Sequence, residues 1–129
     1  MRTPLLVALA LVVADVAAAA APPRSPCRTH PDLVGRCRIV HGRLSVSNGT
    51  PSLRIWIVGT RRILGVSEWR MAEWERELLP ANVWAAFGDH PLDREIFGNF
   101  EVCPFTRDRP GWMQMICVAR ATRLHVVRR

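Results

Sequence analysis

The stretch Leu53-Arg54-Ile55-Trp56-Ile57-Val58-Gly59-Thr60-Arg61-Arg62-Ile63-Leu64-Gly65-Val66 decides the fold of this chain. It contains two runs rich in β-branched residues, separated by the turn pair Gly59-Thr60. A two-residue loop with glycine first favours a type II′ turn, and in this register Trp56 lies opposite Ile63. Ile55 then lies opposite Leu64. The stretch therefore predicts a β-hairpin with apolar pairs across its two strands.

Strands are also predicted on both sides of this hairpin. Residues 39–46 alternate with a period of two, which predicts a first strand that starts near Cys37. Phe97–Thr106 and Trp112–Val127 are rich in strand-forming residues. The stretch Arg107-Asp108-Arg109-Pro110-Gly111 between them is a strong turn signal. The C-terminal part is therefore predicted to be a second hairpin.

A helix is predicted over Ser67–Leu79, between the third and fourth strands. Ser67 suits the N-cap position, and Met71, Trp74 and Leu78 repeat at helical spacing. Pro80 ends the segment, because a residue before proline disfavours the helical conformation. Three strands, a helix and two strands follow the order of a small five-stranded OB-like barrel with a helical insert between strands 3 and 4. A β-sandwich is the alternative, and both predict a mainly β protein.

The four cysteines, Cys27, Cys37, Cys103 and Cys117, indicate disulfides, because an even number in a small exported chain favours pairing. A three-residue loop in the last hairpin places Cys103 directly opposite Cys117, with Cβ atoms about 4.5–5.5 Å apart. This register predicts the pairs Cys103–Cys117 and Cys27–Cys37. A bond from Cys37 to Cys103 or Cys117 stays open as an alternative.

The N-terminus has the three parts of a Sec-type signal peptide. A positive start at Arg2 leads into the apolar run Leu5–Val13, and the small residues Ala17–Ala21 follow. Cleavage is expected near Ala20 or Ala21. The apolar run is too short to span a membrane, which takes about 20 apolar residues. The protein is therefore predicted to be periplasmic or secreted, with no membrane span.

The predicted layout is a signal peptide (residues 1–20), an extended N-terminal lead (21–36) and a single β-rich domain (37–129). The net charge of the 129-residue chain is +7, and every basic residue other than histidine is arginine. Such a chain adheres to acidic surfaces. Asp89, His90, Asp93 and Glu95 lie close together in sequence, but they match no known ligand spacing. No metal and no cofactor is therefore predicted.

The candidate binding surface consists of Arg54, Trp56, Arg61 and Arg62 on the second and third strands, together with Trp112 beside the last turn. Arginines neutralise phosphates and aromatic rings stack on bases, and these strands are the usual binding strands of an OB fold. Pairing of Trp56 with apolar Ile63 favours the opposite interpretation, in which Trp56 is a core residue. Export also separates the protein from most nucleic acid, so an acidic envelope polymer or a protein is the favoured partner.

Residues 48–56 and 62–66, together with 97–105, resemble small uncharacterised exported proteins of GC-rich proteobacteria. The resemblance implies export and a β-rich fold, and it carries no catalytic motif. The sequence therefore predicts a non-enzymatic binding or structural protein of the cell envelope. Two alternatives are an OB-like module that binds nucleic acid or another polyanion, and a small hydrolase without a local motif.

Overall fold

The computed structural model describes residues 26–67 and 79–129, and within them the protein is mainly β, as predicted. The predicted signal peptide and residues 68–78 of the predicted helix lie outside the described residues. A short helix α1 (Ala81–Phe87) and a 3₁₀ turn (Pro91–Asp93) precede the fourth strand. The five strands are β1 (Arg38–Val46), β2 (Leu53–Ile57), β3 (Ile63–Val66), β4 (Arg94–Pro104) and β5 (Gln114–Arg128).

These strands form one sheet that closes in a ring in the order β1-β2-β3-β5-β4. Neighbouring strands are antiparallel except for β3 and β5, which run parallel and pair Leu64 with Gln114. Because β3 and β5 run in the same direction, they both begin at the same end of the ring. The loop before β3 and the loop before β5 therefore meet at that end.

The core lies inside the ring and follows the predicted alternation. Along β1, Val40, Gly42 and Leu44 are buried, while Ile39 and His41 on the alternate positions are exposed. A Cβ atom on Gly42 would lie 2.4 Å from Ile55 Cγ2, so only glycine fits where β1 crosses β2. Further core residues come from every strand and from α1: Ile55, Leu64, Val83, Phe87, Ile96, Phe100, Val102, Ile116 and Val118.

The β2–β3 hairpin has the predicted register, with Trp56 opposite Ile63. The predicted type II′ turn is wrong, because the loop is five residues long. Gly59, with a φ of 80°, is the third residue of a turn in which the Thr60 amide donates to the Ile57 carbonyl over 3.1 Å. The Thr60 hydroxyl donates to the same carbonyl and accepts from the Arg62 amide, and these bonds stabilise the longer loop.

The disulfides join Cys27 to Cys117 and Cys37 to Cys103. The predicted register was correct, since Cys103 and Cys117 are partners across β4 and β5, but the predicted pairs Cys103–Cys117 and Cys27–Cys37 were wrong. The physical reason is that β1 lies on the other side of β4. Arg38 pairs with Val102 there, which places Cys37 beside Cys103. The bond from Cys37 to Cys103 is one of the alternatives that the sequence left open.

The N-terminal segment, residues 26–37, lies against the outer surface of β4 and β5. Arg28 Nε donates to Glu101 Oε1 over 2.9 Å, and the same guanidinium forms an ion pair with the second carboxylate oxygen. The Val34 amide donates to the Pro104 carbonyl over 2.9 Å. The ring of His30 meets that of Phe105 edge to face, with the ring centroids 4.8 Å apart. The segment is therefore attached by contacts as well as by the disulfides.

Candidate functional site

One end of the ring collects most of the predicted binding residues. The loop between β2 and β3 (residues 58–62) and the loop between β4 and β5 (residues 105–113) meet there because β3 and β5 are parallel. The start of β1 joins them, since the Val58 amide donates to the His41 carbonyl over 3.1 Å. We call this surface the arginine end, and it is defined by Arg38, Arg61, Arg62, Arg107 and Arg109.

An ion pair connects the two loops of the arginine end. Arg62 Nη2 donates to Asp108 Oδ1 at 2.5 Å. The Arg62 guanidinium lowers the pKa of the Asp108 carboxyl below its usual range, and the more distant charge of Arg38 acts in the same direction. Asp108 therefore stays ionised at neutral pH and holds the loops together.

Gln114 orients the base of the arginine end, although its side chain is almost completely buried. Its Oε1 accepts from Arg38 Nη2 over 2.8 Å, and its Nε2 donates to the Thr106 carbonyl over 3.0 Å. A buried amide with both ends bonded restricts the groups that it contacts. Arg38 and the first residues of the β4–β5 loop are thus held in one arrangement.

The remaining positive charges of the arginine end face the solvent. Arg61, Arg107 and Arg109 are exposed. Within residues 26–67 and 79–129, no carboxylate lies within 4.0 Å of these three guanidinium groups. Asp108 is the acid that the loop itself supplies, and Arg62 pairs with it. The surface therefore offers positive charge to an anion in solution.

Trp112 adds an aromatic ring to this surface. Trp112 is 73% exposed, which is a large fraction for a tryptophan. Its amide donates to the Arg109 carbonyl over 3.1 Å, in a turn where Gly111 has a φ of 78°. Trp112 lies two residues before Gln114, and Arg62 lies two residues before Leu64, the partner of Gln114 on β3. The register thus brings the turn of Trp112 next to the loop of Arg62.

Trp56 lies on the outside of the ring, so the interpretation that it is a core residue was wrong. Ile55 points inward and is fully buried, and alternation along β2 turns Trp56 to the outer surface. Its indole Nε1 donates to the Thr60 carbonyl over 2.8 Å. The Arg43 guanidinium carbon lies 5.0 Å from the ring centroid, within the range of a cation–π contact. Trp56 therefore supports the β2–β3 loop and is half-buried.

Arg54 is separated from the other predicted binding residues. It lies near the opposite end of the ring, where β1 turns into β2. Its Nε donates to the Pro51 carbonyl over 3.0 Å, and its Nη2 donates to the Asn48 carbonyl over 3.3 Å. Arg54 thus holds the β1–β2 loop, while Trp56, Arg61, Arg62 and Trp112 share the arginine end or its border.

Sequence reasoning missed Arg38, Arg107 and Arg109 as members of this surface. Arg107 and Arg109 stand in a stretch that was interpreted only as a turn, although its two arginines around one acid were a usable signal. Arg38 and its contact with Gln114 had no such signal, because the contact depends on how β1 meets β5 across the ring.

Within the described ranges 26–67 and 79–129, the histidines do not form an acid–base pair with a carboxylate. His41 Nδ1 lies 3.1 Å from Asn99 Oδ1 on the outer surface. Elsewhere in the part of the chain that the structure describes, no histidine nitrogen lies within 4.0 Å of a carboxylate oxygen. The candidate functional site is therefore the arginine end, whose arginines can bind anions and whose tryptophan can stack on a ring.

Comparison with models of protein families, with curated proteins and with solved structures gave no match to this chain. Within the described residues, no helix is both long and apolar enough to cross a membrane.

Proposed function

We propose that this chain is an exported, non-enzymatic binding protein of the cell envelope, and that its arginine end binds an acidic polymer. The net charge of +7 supports this proposal, because a positive protein accumulates on polyanions. The Arg62–Asp108 pair is the single observation that carries it. The pair forms where the two loops meet beside the parallel strands β3 and β5, and Arg61, Arg107 and Arg109 lie in these same loops.

The exposed ring of Trp112 supports a polymer that itself contains rings, such as an acidic polysaccharide. Tryptophan presents a large apolar face and a polar N–H group, which together suit a partly wet interface. Trp112 is 73% exposed, and a partner that covers its ring removes apolar surface from water, which favours binding. We therefore assign Trp112 to stacking and the neighbouring arginines to charge neutralisation.

The cell envelope is proposed as the location from two independent features. The N-terminal residues have the layout of a signal peptide. The two disulfides pair all four cysteines, and such bonds persist in oxidising compartments such as the periplasm or the medium. Intact mass of the protein from fractionated cells tests this location. We expect a chain that begins near Ala21 and resists thiol alkylation until it is reduced, whereas a full-length chain with alkylated thiols would contradict export.

The fold is proposed to be OB-like, which supports nucleic acid as the second candidate partner. The strand order β1-β2-β3-β5-β4 and the parallel pairing of β3 with β5 support this assignment, as does the position of α1 before β4. OB folds bind oligonucleotides and oligosaccharides on strands 2 and 3 and on the loops after strands 1 and 4. Export favours the polysaccharide over the nucleic acid.

Binding of the mature chain to fluorescent heparin and to oligo(dT), over a range of salt concentrations, tests the proposal. The double variant Arg61→Gln/Arg109→Gln removes two charges from the arginine end. We expect the slope of log K against log salt to become shallower by about one for each arginine lost. Trp112→Ala should weaken binding with the salt slope unchanged, because the indole carries no charge.

The matched control is Arg120→Gln/Arg128→Gln, which removes the same charge from exposed positions on β5. Equal losses in both double variants would mean that net charge alone drives binding, and the arginine end would be overturned as a site. Tighter binding of oligo(dT) than of heparin by the unaltered chain would favour the nucleic-acid alternative.

A further inference from the structure

The sulfur atoms of the two disulfides form a single buried cluster. The Sγ atoms of Cys27, Cys103 and Cys117 all lie within 4.8 Å of one another, and Cys37 is bonded to Cys103. Each bonded pair thus contains a sulfur close to the other pair. Leu33, Phe105 and Ala119 pack around the cluster.

The four cysteines differ in their access to solvent. Cys27, Cys103 and Cys117 are 0% exposed, whereas Cys37 is partly exposed. A thiolate in solution must reach the sulfur that it attacks, and access is one of the factors that control thiol–disulfide exchange. Cys37 is therefore the sulfur at which an external thiol enters the cluster.

A third bond is available inside the cluster. Cys103 and Cys117 are directly opposite each other in the β4–β5 ladder. Directly opposed residues in an antiparallel pair have Cβ atoms about 4.5–5.5 Å apart, which needs only a small adjustment for a disulfide. Cys103 and Cys117 are thus placed to form a third disulfide, although each is bonded to another cysteine in the native protein.

We propose that the four cysteines form one thiol–disulfide exchange site, which takes an external dithiol as its substrate and frees the N-terminal segment from both of its disulfides. In the first step a thiolate of the dithiol attacks Cys37 Sγ. The Cys37–Cys103 bond breaks, a mixed disulfide forms on Cys37, and Cys103 leaves as a thiolate.

In the second step the Cys103 thiolate attacks Cys117 Sγ. The Cys103–Cys117 bond forms, and Cys27 leaves as a thiolate and takes up a proton. The second thiol of the dithiol then attacks the mixed disulfide, which frees Cys37 and closes the dithiol into its own disulfide. Two electrons pass in all from the dithiol to the protein, and the protein keeps one disulfide.

The exchange removes both covalent attachments of residues 27–37. The segment is then held by the Arg28–Glu101 pair, by the Val34–Pro104 hydrogen bond and by the His30–Phe105 ring contact. By contrast, simple reduction of Cys37–Cys103 would leave the segment bonded to β5 through Cys27. The new bond therefore decides whether the N-terminal segment can leave the sheet.

The variant Cys37→Ser tests the second step, because it leaves Cys103 as a free thiol beside the Cys27–Cys117 bond. The mature protein is quenched in acid, its free thiol is alkylated in denaturant, and tryptic peptides locate the label. Arginines 28, 38 and 107 separate the four cysteines in the sequence, so each cysteine falls in a different peptide. We expect most of the label on Cys27 and a disulfide between Cys103 and Cys117. A label mainly on Cys103 or on Cys117 would overturn the proposal.

A second measurement covers the case in which Cys37→Ser does not fold. The unaltered mature protein is treated with limiting dithiothreitol, and the species that retains one disulfide is isolated and mapped in the same way. We expect labels on Cys37 and Cys27 in this species. Labels on Cys37 and Cys103, with Cys27–Cys117 intact, would show that the two disulfides react separately and would contradict exchange. Neither result bears on polymer binding by the arginine end.

Discussion

Arg62, in the loop between β2 and β3, donates to Asp108, in the loop between β4 and β5, and their nitrogen and oxygen atoms lie 2.5 Å apart. The pair exists because β3 and β5 are parallel neighbours in the ring, so the loops that lead into them meet at one end. Asp108 is thus an acid within an otherwise basic surface, and it neutralises the charge of Arg62, which a polyanion would otherwise contact.

Asp108→Asn is expected to strengthen binding to an acidic polymer. The change removes a negative charge from the arginine end and releases the Arg62 guanidinium from its partner, while the parallel pairing of β3 with β5 keeps the two loops adjacent. Elution from a heparin column should therefore require more salt than for the unaltered protein. Asp89→Asn, at another exposed acid, is the charge-matched control. The prediction fails if Asp108→Asn elutes no later than this control.

The two tryptophans of the proposed surface are expected to differ in their effect on stability. Trp56→Ala should lower the free energy of unfolding by about 1–3 kcal/mol, because the half-buried ring loses its contacts with Arg43 and Thr60. Trp112→Ala should change it by less than about 0.5 kcal/mol, since the residue is exposed. Urea unfolding followed by circular dichroism compares them, and similar losses for both would place Trp112 in a packed environment.

Stability is expected to fall in acid through Glu101. The hydrogen bond from Arg28 lowers the pKa of the Glu101 carboxyl in the folded protein. A lowered folded pKa adds stability that is present above the ordinary glutamate pKa of about 4.3 and is lost as pH falls through the folded value. In Glu101→Gln the decline of unfolding free energy below about pH 4 should be smaller. Identical pH profiles for the two proteins would contradict this role of the Arg28–Glu101 pair.

Substitutions at two aliphatic residues of β1 are expected to differ in effect, because one side chain lies inside the ring and the other lies outside. Leu44 is fully buried, and Leu44→Ala should destabilise the protein by about 2–5 kcal/mol because it leaves a cavity. Ile39 is 68% exposed, and Ile39→Ala should change stability by less than about 0.5 kcal/mol. Chemical denaturation of both variants gives the comparison. A large loss for Ile39→Ala would mean that another surface covers this residue.

Local patterns predicted the parts of the fold that depend on neighbours in sequence. The predicted registers of Trp56 with Ile63 and of Cys103 with Cys117 are confirmed. The predicted loops of two and three residues were wrong, because the connections are five and nine residues long. The predicted type II′ turn between β2 and β3 was wrong, because the Thr60 side chain adds hydrogen bonds that a rule based on glycine alone does not include.

The candidate site was predictable only in part for the same reason. The candidate set named Trp56, Arg61, Arg62 and Trp112 from residue type, and these residues lie at the arginine end or its border. The core interpretation of Trp56, which its apolar partner favoured, was wrong. Arg54 was grouped with Trp56 because both lie on β2, but its side chain donates to carbonyls of the β1–β2 loop at the opposite end of the ring. Residue type thus indicated anion binding without showing which arginines share a surface.

The sequence by itself determined the strands, the faces that they bury and the pairing within each hairpin, because these follow from a period of two and from turn residues a few positions apart. The tertiary structure alone decided that β1 pairs with β4 and that β3 runs beside β5. Those two contacts place Cys37 beside Cys103 and Arg62 beside Asp108. These pairings join residues far apart in the chain, and closure of the whole ring sets their register. No local sequence pattern therefore predicts them.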